Sequence, residues 1–287
     1  MALLSAAFFG LITTAAKISY DDGGNATTAA LIRALFAAIV GLALCAAMGR
    51  VWCIPRPAWG ATLRLAIGLA GMSVCYMAAV QFIPVSLAAI LFYSHPICVL
   101  IAESFRNREM PGPIRVIAYS SAFAGLVLAI GPSFQDLDWR GLVAIAIAVC
   151  SASLMFFAAR TARQHTNEIA LMMWSNIISV PIICAAMIFL GGVQFPQSQT
   201  GWLALLAVSV FFTAAFISYT ICLKHTKPAR AAMFFNLEPL VSIAIALLIL
   251  GEVLTLSQSL GAAMVLAALT LSAWRTQRRS GLKDWPG

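Results

Sequence analysis

The chain has 287 residues, of which 62% are hydrophobic and only 10% charged, with a mean hydropathy of +0.93. A water-soluble globule carries about 25% charged residues, so this composition excludes one. The net charge of +8 does not point to nucleic acid, because the basic residues are scattered through short loops and the tail with no aromatic-interleaved patch.

The apolar segments are roughly 20 residues long and lack strand-like alternation, which predicts an all-α integral membrane protein and not a barrel. Ten spans are predicted, at about 2–20, 28–48, 62–82, 86–105, 115–132, 141–160, 169–190, 202–223, 230–250 and 258–274. The first has no basic stretch before it and reads as an uncleaved helix, not a signal peptide. Lys17 lies near its end, and Asp21-Asp22-Gly23-Gly24 form the turn that follows.

The second span carries Arg33 about a turn and a half inside its start. Two readings stand for it: a partner for a substrate carboxylate or for Glu238, or a side chain snorkelling to the headgroups. The third span holds Tyr76 at depth, among small residues such as Gly68, Gly71, Ala78 and Ala79 that let helices approach closely. The fourth contains Tyr93 and His95-Pro96, and ends with Glu103 three residues before Arg106, a spacing that reads as a local ion pair.

The fifth and sixth spans carry no deep charge. Trp174 and Asn176 sit a few residues inside the seventh, and Tyr219 lies deep in the eighth, which opens on Trp202. The ninth places Glu238 in the middle of an apolar run with Pro239 directly after it. An ionisable group at membrane depth is costly and marks a functional site by default. Proline frees a helix carbonyl, so the helix is predicted to kink or break there, and the same holds at His95-Pro96. Small residues Gly261, Ala262 and Ala263 recur in the tenth span, before a short basic tail. The seven cysteines form no CxxC and no metal-ligand spacing with histidine, so neither a metal nor a cofactor is expected.

With the N-terminus in the cytoplasm, inside loops, helix ends and tail carry 15 of the 18 basic residues and the outside only Arg140. That bias fixes orientation with both termini cytoplasmic. Sliding the chain by 143 positions places Trp59 on Trp202, Tyr76 on Tyr219, Phe92 on Phe235, Pro96 on Pro239 and Glu109 on Glu252. The chain therefore reads as a duplication, with repeats at 1–136 and 137–287. Five helices per repeat, an odd number, make the second copy enter upside down. Such 5+5 inverted repeats build secondary transporters with a midplane site at the seam.

Leu237-Glu238-Pro239 and Leu250-Gly251-Glu252 in the ninth span, with the Trp202-led eighth, resemble the paired EamA domains of the drug/metabolite transporter superfamily, over about 2–136 and 140–276. The resemblance implies a ten-helix transporter of the cell inner (plasma) membrane whose central cavity is lined by helices 1–4 and 6–9, often exporting amino acids or related metabolites. Two positions depart from the family pattern. Phe8-Phe9-Gly10-Leu11 stands where a WGS-like motif is frequent, and Asn107-Arg108-Glu109 where Leu-Gly-Glu is common.

The matched quartet Glu238, His95, Asn236 and Tyr93 is the first choice for substrate binding, with broken backbone offering free carbonyls to an ammonium; the alternative for Glu238 and His95 is helix packing. Tyr76, Tyr219, Trp174, Asn176 and Arg33 complete the candidates, the two tyrosines being equally suited to tying helices together. Pro96 and Pro239 are candidate hinges for alternating access, and Glu238 is the candidate proton carrier. No GxxxxGK[ST] loop is present, so the chain alone is no ATP-driven pump. An enzyme is disfavoured because no nucleophile and base are paired, and a channel because no polar stripe runs along several helices. The expected cargo is an amino acid or similar small metabolite leaving the cell. A drug or nucleotide derivative is the runner-up, and a non-transporting scaffold the alternative of a different class.

Overall fold

The computed structural model describes residues 2–268 except 50, 80, 84, 131–137, 242–254 and 258. The expectations for Leu250-Gly251-Glu252, the second half of the ninth span, Asp136, the end of the tenth span and the basic tail lie outside the described residues. Among those described there is no strand. The helices are α1 (Ala2–Asp21), α2 (Ala26–Ala47), α3 (Arg56–Ala79), α4 (Val85–Phe92), α5 (His95–Asn107), α6 (Pro113–Ile130), α7 (Trp139–Ala162), α8 (Glu168–Met187), α9 (Gln199–His225) and α10 (Pro228–Phe234). An additional apolar helix runs Ser259–Ala268. Among the described residues, six stretches are long and apolar enough to cross a membrane: α2, α3, the α4–α5 pair from Leu87, α7, α8 and α9.

Helix starts follow from capping side chains, which supply acceptors for first-turn amides that lack intrahelical partners. Asn25 accepts from the Thr28 amide at 2.9 Å, Asn167 from Ala170 at 2.8 Å and Ser198 from Gly201 at 3.2 Å.

Two predicted spans are interrupted, each in the turn before its proline. The fourth is α4 and then α5, parted at Tyr93-Ser94, with Pro96 in the first turn of α5. The ninth begins as the seven-residue α10 and tightens into a 3-10 turn, Phe235–Leu237, directly before Glu238-Pro239. A proline ring clashes with the carbonyl four residues back, so the ladder cannot run unbroken through either point.

The helices pack in pairs. α3 runs along α7 and α1 along α9, α2 lies against α8, and α3 also meets α8 as α2 meets α9. Shifting by 143 residues turns α3–α7 into α9–α1 and α3–α8 into α9–α2, and leaves α2–α8 as itself. Glycines permit the closest approaches: a Cβ on Gly68 would stand 2.8 Å from the Ser151 carbonyl oxygen of α7, and one on Gly41 2.8 Å from Met173 Cβ of α8.

Loops clamp both ends of the bundle. At one end the α1–α2 turn is laced to the segment after α8. Asn25 Nδ2 donates to the Gly192 carbonyl at 3.1 Å, the Gln194 amide donates to Thr28 Oγ1 at 2.9 Å, and the Ser198 amide donates to Asp22 Oδ2 at 2.7 Å. That amide holds the Asp22 carboxyl below the usual carboxylate range. At the other end Asn167 Nδ2 donates to the Val51 carbonyl at 2.9 Å, joining the α7–α8 turn to the segment after α2. α2, at 22 residues, is about 33 Å long, so these clamps lie far apart. The start of α2 meets the end of α8 and the end of α2 meets the start of α8, so the two helices are antiparallel.

Candidate functional site

The two helix breaks face one another in the interior, because α5 packs on α10. Tyr93, in the first break, is hydrogen-bonded to Glu238, directly after the second. Arg33 of α2 lies within electrostatic reach of the same carboxylate, as does the hydroxyl of Tyr76. Arg33 is not directed towards the headgroups. Its Nη2 donates to Ser73 Oγ of α3 at 2.8 Å, and its guanidinium lies 4.5 Å from the Phe212 ring centre of α9. Of the two sequence readings of Arg33, the geometry is that of the inward one. Arg33, Tyr76, Phe92 and Glu238 are packed among neighbouring helices and keep partial exposure.

Aromatic rings form the rest of the cluster. Tyr76 meets Phe92 edge-on at 5.3 Å, His95 stacks on Phe156 of α7 at 5.6 Å, and Phe156 in turn meets Tyr219 at 5.2 Å and Phe235 at 5.3 Å. Phe9 of α1 closes on Phe235 at 5.2 Å. His95 is 2% exposed and its Nδ1 donates to the Phe92 carbonyl at 3.1 Å, so that in the neutral ring Nε2 carries the lone pair. That Nε2, the Tyr219 hydroxyl and Asn236 Oδ1 are buried without hydrogen-bond partners among the described residues.

The cluster sets a few converging polar groups, with opposite charges among them, in a largely apolar surround, the make-up of many small-molecule sites. The sequence model of the EamA-like transporter family matches residues 1–131 and 139–274. The chain belongs to that family.

Proteins that resemble it include an uncharacterized transporter of Archaeoglobus fulgidus, 26% identical over 278 residues, covering 95% of this chain and 94% of the relative. The threonine/homoserine exporter RhtA of Escherichia coli K12 is 23% identical over 227 residues, 76% of this chain and 72% of the exporter. A probable amino-acid metabolite efflux pump of Salmonella typhimurium is 26% identical over 261 residues, 83% and 87% of the two chains. A chain solved by crystallography superposes with a TM-score of 0.83 at 17% identity, over 96% of this chain and 97% of that one, which speaks for the fold alone. The protein is thus a multi-pass membrane transporter of the EamA-like family, with exporters among its relatives.

Within this EamA-like frame, several expectations are corrected. Trp174 does not reach the cluster; its indole donates to the Trp52 carbonyl at 2.7 Å and its ring meets Trp59 at 5.2 Å, an amphipathic belt near the start of α8. Asn176 is fully buried, with Nδ2 donated to the Met172 carbonyl one turn back in α8 at 2.8 Å and Oδ1 unpartnered among the described residues. The carbonyls loosened by the prolines each already accept one hydrogen bond, that of Phe92 from His95 Nδ1 and that of Phe235 from the Glu238 amide. Glu103 forms no local pair with Arg106. It is 5% exposed, and its Oε2 accepts from the Ala229 amide at 3.1 Å, where the unpaired first-turn amides of α10 favour an anion.

The aromatic wall of Phe9, Phe156 and Phe212 and the Ser73 support for Arg33 were missed from the sequence. Phenylalanines in apolar spans look the same whether they face lipid or cargo. One usable signal existed: Phe9 falls in the helix 1 stretch that departs from the family pattern.

Proposed function

We propose that this protein is a secondary transporter of the cell inner (plasma) membrane that exports a small amino acid or related metabolite by alternating access. Ten helices in repeats 1–136 and 137–287 lie inverted to one another, with both termini in the cytoplasm. Support for the inversion comes from the antiparallel course of α2 and α8, helices matched by the 143-residue offset, and from the symmetric exchange of helix pairs. The basic residues set the side: the Asn25–Gly192 clamp is then external and the Asn167–Val51 clamp cytoplasmic.

The observation that carries the reading is the Glu238 carboxylate, hydrogen-bonded by Tyr93 and within reach of Arg33, between two helix breaks and aromatic walls. A zwitterion presents its ammonium to Glu238 and its carboxylate to Arg33, while the rings take up its apolar part. The printed names of two relatives, a threonine/homoserine exporter and a probable amino-acid metabolite efflux pump, point the same way. Cargo leaving the site returns Glu238 to Arg33 or to a proton, which supplies a route for proton coupling. Pro96 and Pro239 are the pivots, because the backbone ladder is already open beside them.

The test is flux of labelled amino acids from proteoliposomes. Glu238→Gln and Arg33→Gln are expected to lose at least about tenfold in rate, the effect of one charge-assisted contact worth roughly 1.5–3 kcal/mol, whereas Trp174→Phe keeps most of it. Full flux in both charge variants would end the zwitterion reading. A Glu238→Gln protein that answers a pH gradient as the unmodified protein does would end proton carriage by Glu238 alone.

A further inference from the structure

Where α5 ends and α10 begins, two side chains of the first repeat hold one backbone residue of the second. Glu103 of α5 accepts from the Ala229 amide at 3.1 Å, and Tyr119 of α6 donates its hydroxyl to the Ala229 carbonyl. All three residues are buried. Ala229 lies in the first turn of α10, whose own N-cap, Lys227, makes no side-chain cap bond. The first-turn amide is therefore capped from the other half of the molecule, a role that a local Ser, Asn or Asp normally fills.

α5 runs from His95 at the first break to this contact, and α10 runs from the contact to the second break. Between the contact and the breaks the two half-helices are packed shut, with Val99 of α5 and Ala231 and Ala232 of α10 fully buried. The opposite half has no equivalent pair in its sequence. The 143-residue offset carries Glu103 to Ala246, Tyr119 to Ala262 and Ala229 to Ser86, and an alanine side chain neither accepts nor donates a hydrogen bond.

We infer that Glu103 and Tyr119 form a one-sided latch that holds the two halves closed at the cytoplasmic end and sets how often the site opens there for loading. The latch goes beyond the reading of the cargo and rests on the alternating access and orientation proposed above. Loading from the cytoplasm parts α10 from α5, which breaks both hydrogen bonds and hands the Ala229 amide and carbonyl to water. Cargo meets only the molecules that are open on its own side. While that fraction is small, a weaker latch raises the apparent affinity for cytoplasmic cargo by the same factor as it raises the fraction.

The experiment uses the full chain in inside-out and right-side-out membrane vesicles, in a background without other accessible cysteines. Val99→Cys is the reporter, one turn from Glu103 towards the break and on the same face of α5. In Tyr119→Phe and in Glu103→Leu, an impermeant thiol reagent on the cytoplasmic side is expected to label it about threefold to tenfold faster than with the latch intact, the effect of one lost hydrogen bond. Labelling from outside is not raised. Glu103→Gln keeps an acceptor for the Ala229 amide and returns the rate towards its original value. Tyr119→Phe deletes a single oxygen and carries the test by itself if Glu103→Leu does not fold. Ser175→Cys, equally buried about two turns into α8 and away from the latch, reports general loosening. Unchanged rates in Tyr119→Phe and Glu103→Leu, or a rise matched at Ser175→Cys, overturn the latch and leave alternating access standing. A rise from outside alone overturns the proposed orientation, and the cytoplasmic placement of the latch with it.

Discussion

At the scale of single residues, the described interior separates polar atoms that are satisfied from those that are not. Tyr219 buries a hydroxyl with no partner, an arrangement that costs about 1–3 kcal/mol without ligand. Tyr219→Phe is therefore expected to melt no lower than the unmodified protein, and up to that amount more stably, in ligand-free thermal denaturation; clear destabilisation would mean that the hydroxyl is bonded after all. Asp22 behaves in the opposite sense. Its carboxyl is held below the ordinary range by the Ser198 amide, so the carboxylate form favours the folded clamp. The contribution is present at neutral pH and is lost as pH falls through the folded value, which lies beneath the ordinary carboxylate range. Asp22→Asn is expected to lower the melting temperature at pH 7, with the difference shrinking as the pH drops below that range. A difference that widens in acid would contradict this origin.

At the scale of elements, the two interrupted helices follow from local covalent chemistry. A proline inside an apolar run removes a ladder hydrogen bond, so the breaks before Pro96 and Pro239 were legible as candidates without coordinates, although α8 runs on through Pro181. Their consequence was not, because only tertiary packing brings Tyr93 of one break onto Glu238 of the other. Helix faces were equally hidden. Arg33 is two turns into α2 and reads from the sequence as either snorkelling or inward; the Ser73 hydrogen bond and the Phe212 ring decide it. The α3–α7 contact yields a sharper prediction. A side chain on Gly68 must displace the Ser151 backbone, 2.8 Å from where its Cβ would stand. Gly68→Val is expected to cost about 1–3 kcal/mol through overpacking, read as a lowered melting temperature in detergent. Val at Gly60, where a Cβ meets nothing within 4 Å, is the matched control and should be near neutral.

At the scale of the whole molecule, the proposed inversion of the two halves makes a topological prediction. If the halves are inverted, the α1–α2 turn and its counterpart between α7 and α8 lie on opposite sides of the membrane. Gly23→Cys and Gln164→Cys, each in a background without other accessible cysteines, are expected to react with an impermeant thiol reagent from outside and from inside respectively. Labelling of both from one side would remove the inverted repeat. The membrane class and the duplication came from the chain alone, because hydropathy is a property of segment length and a recurrence at one offset is a property of order. The inward face of each helix, the aromatic wall and the displacement of Trp174 to the periphery were decided only by the tertiary structure. The physical reason is that lipid tails and a packed protein interior are equally apolar, so a spanning helix carries no hydrophobic stripe to say which side it buries.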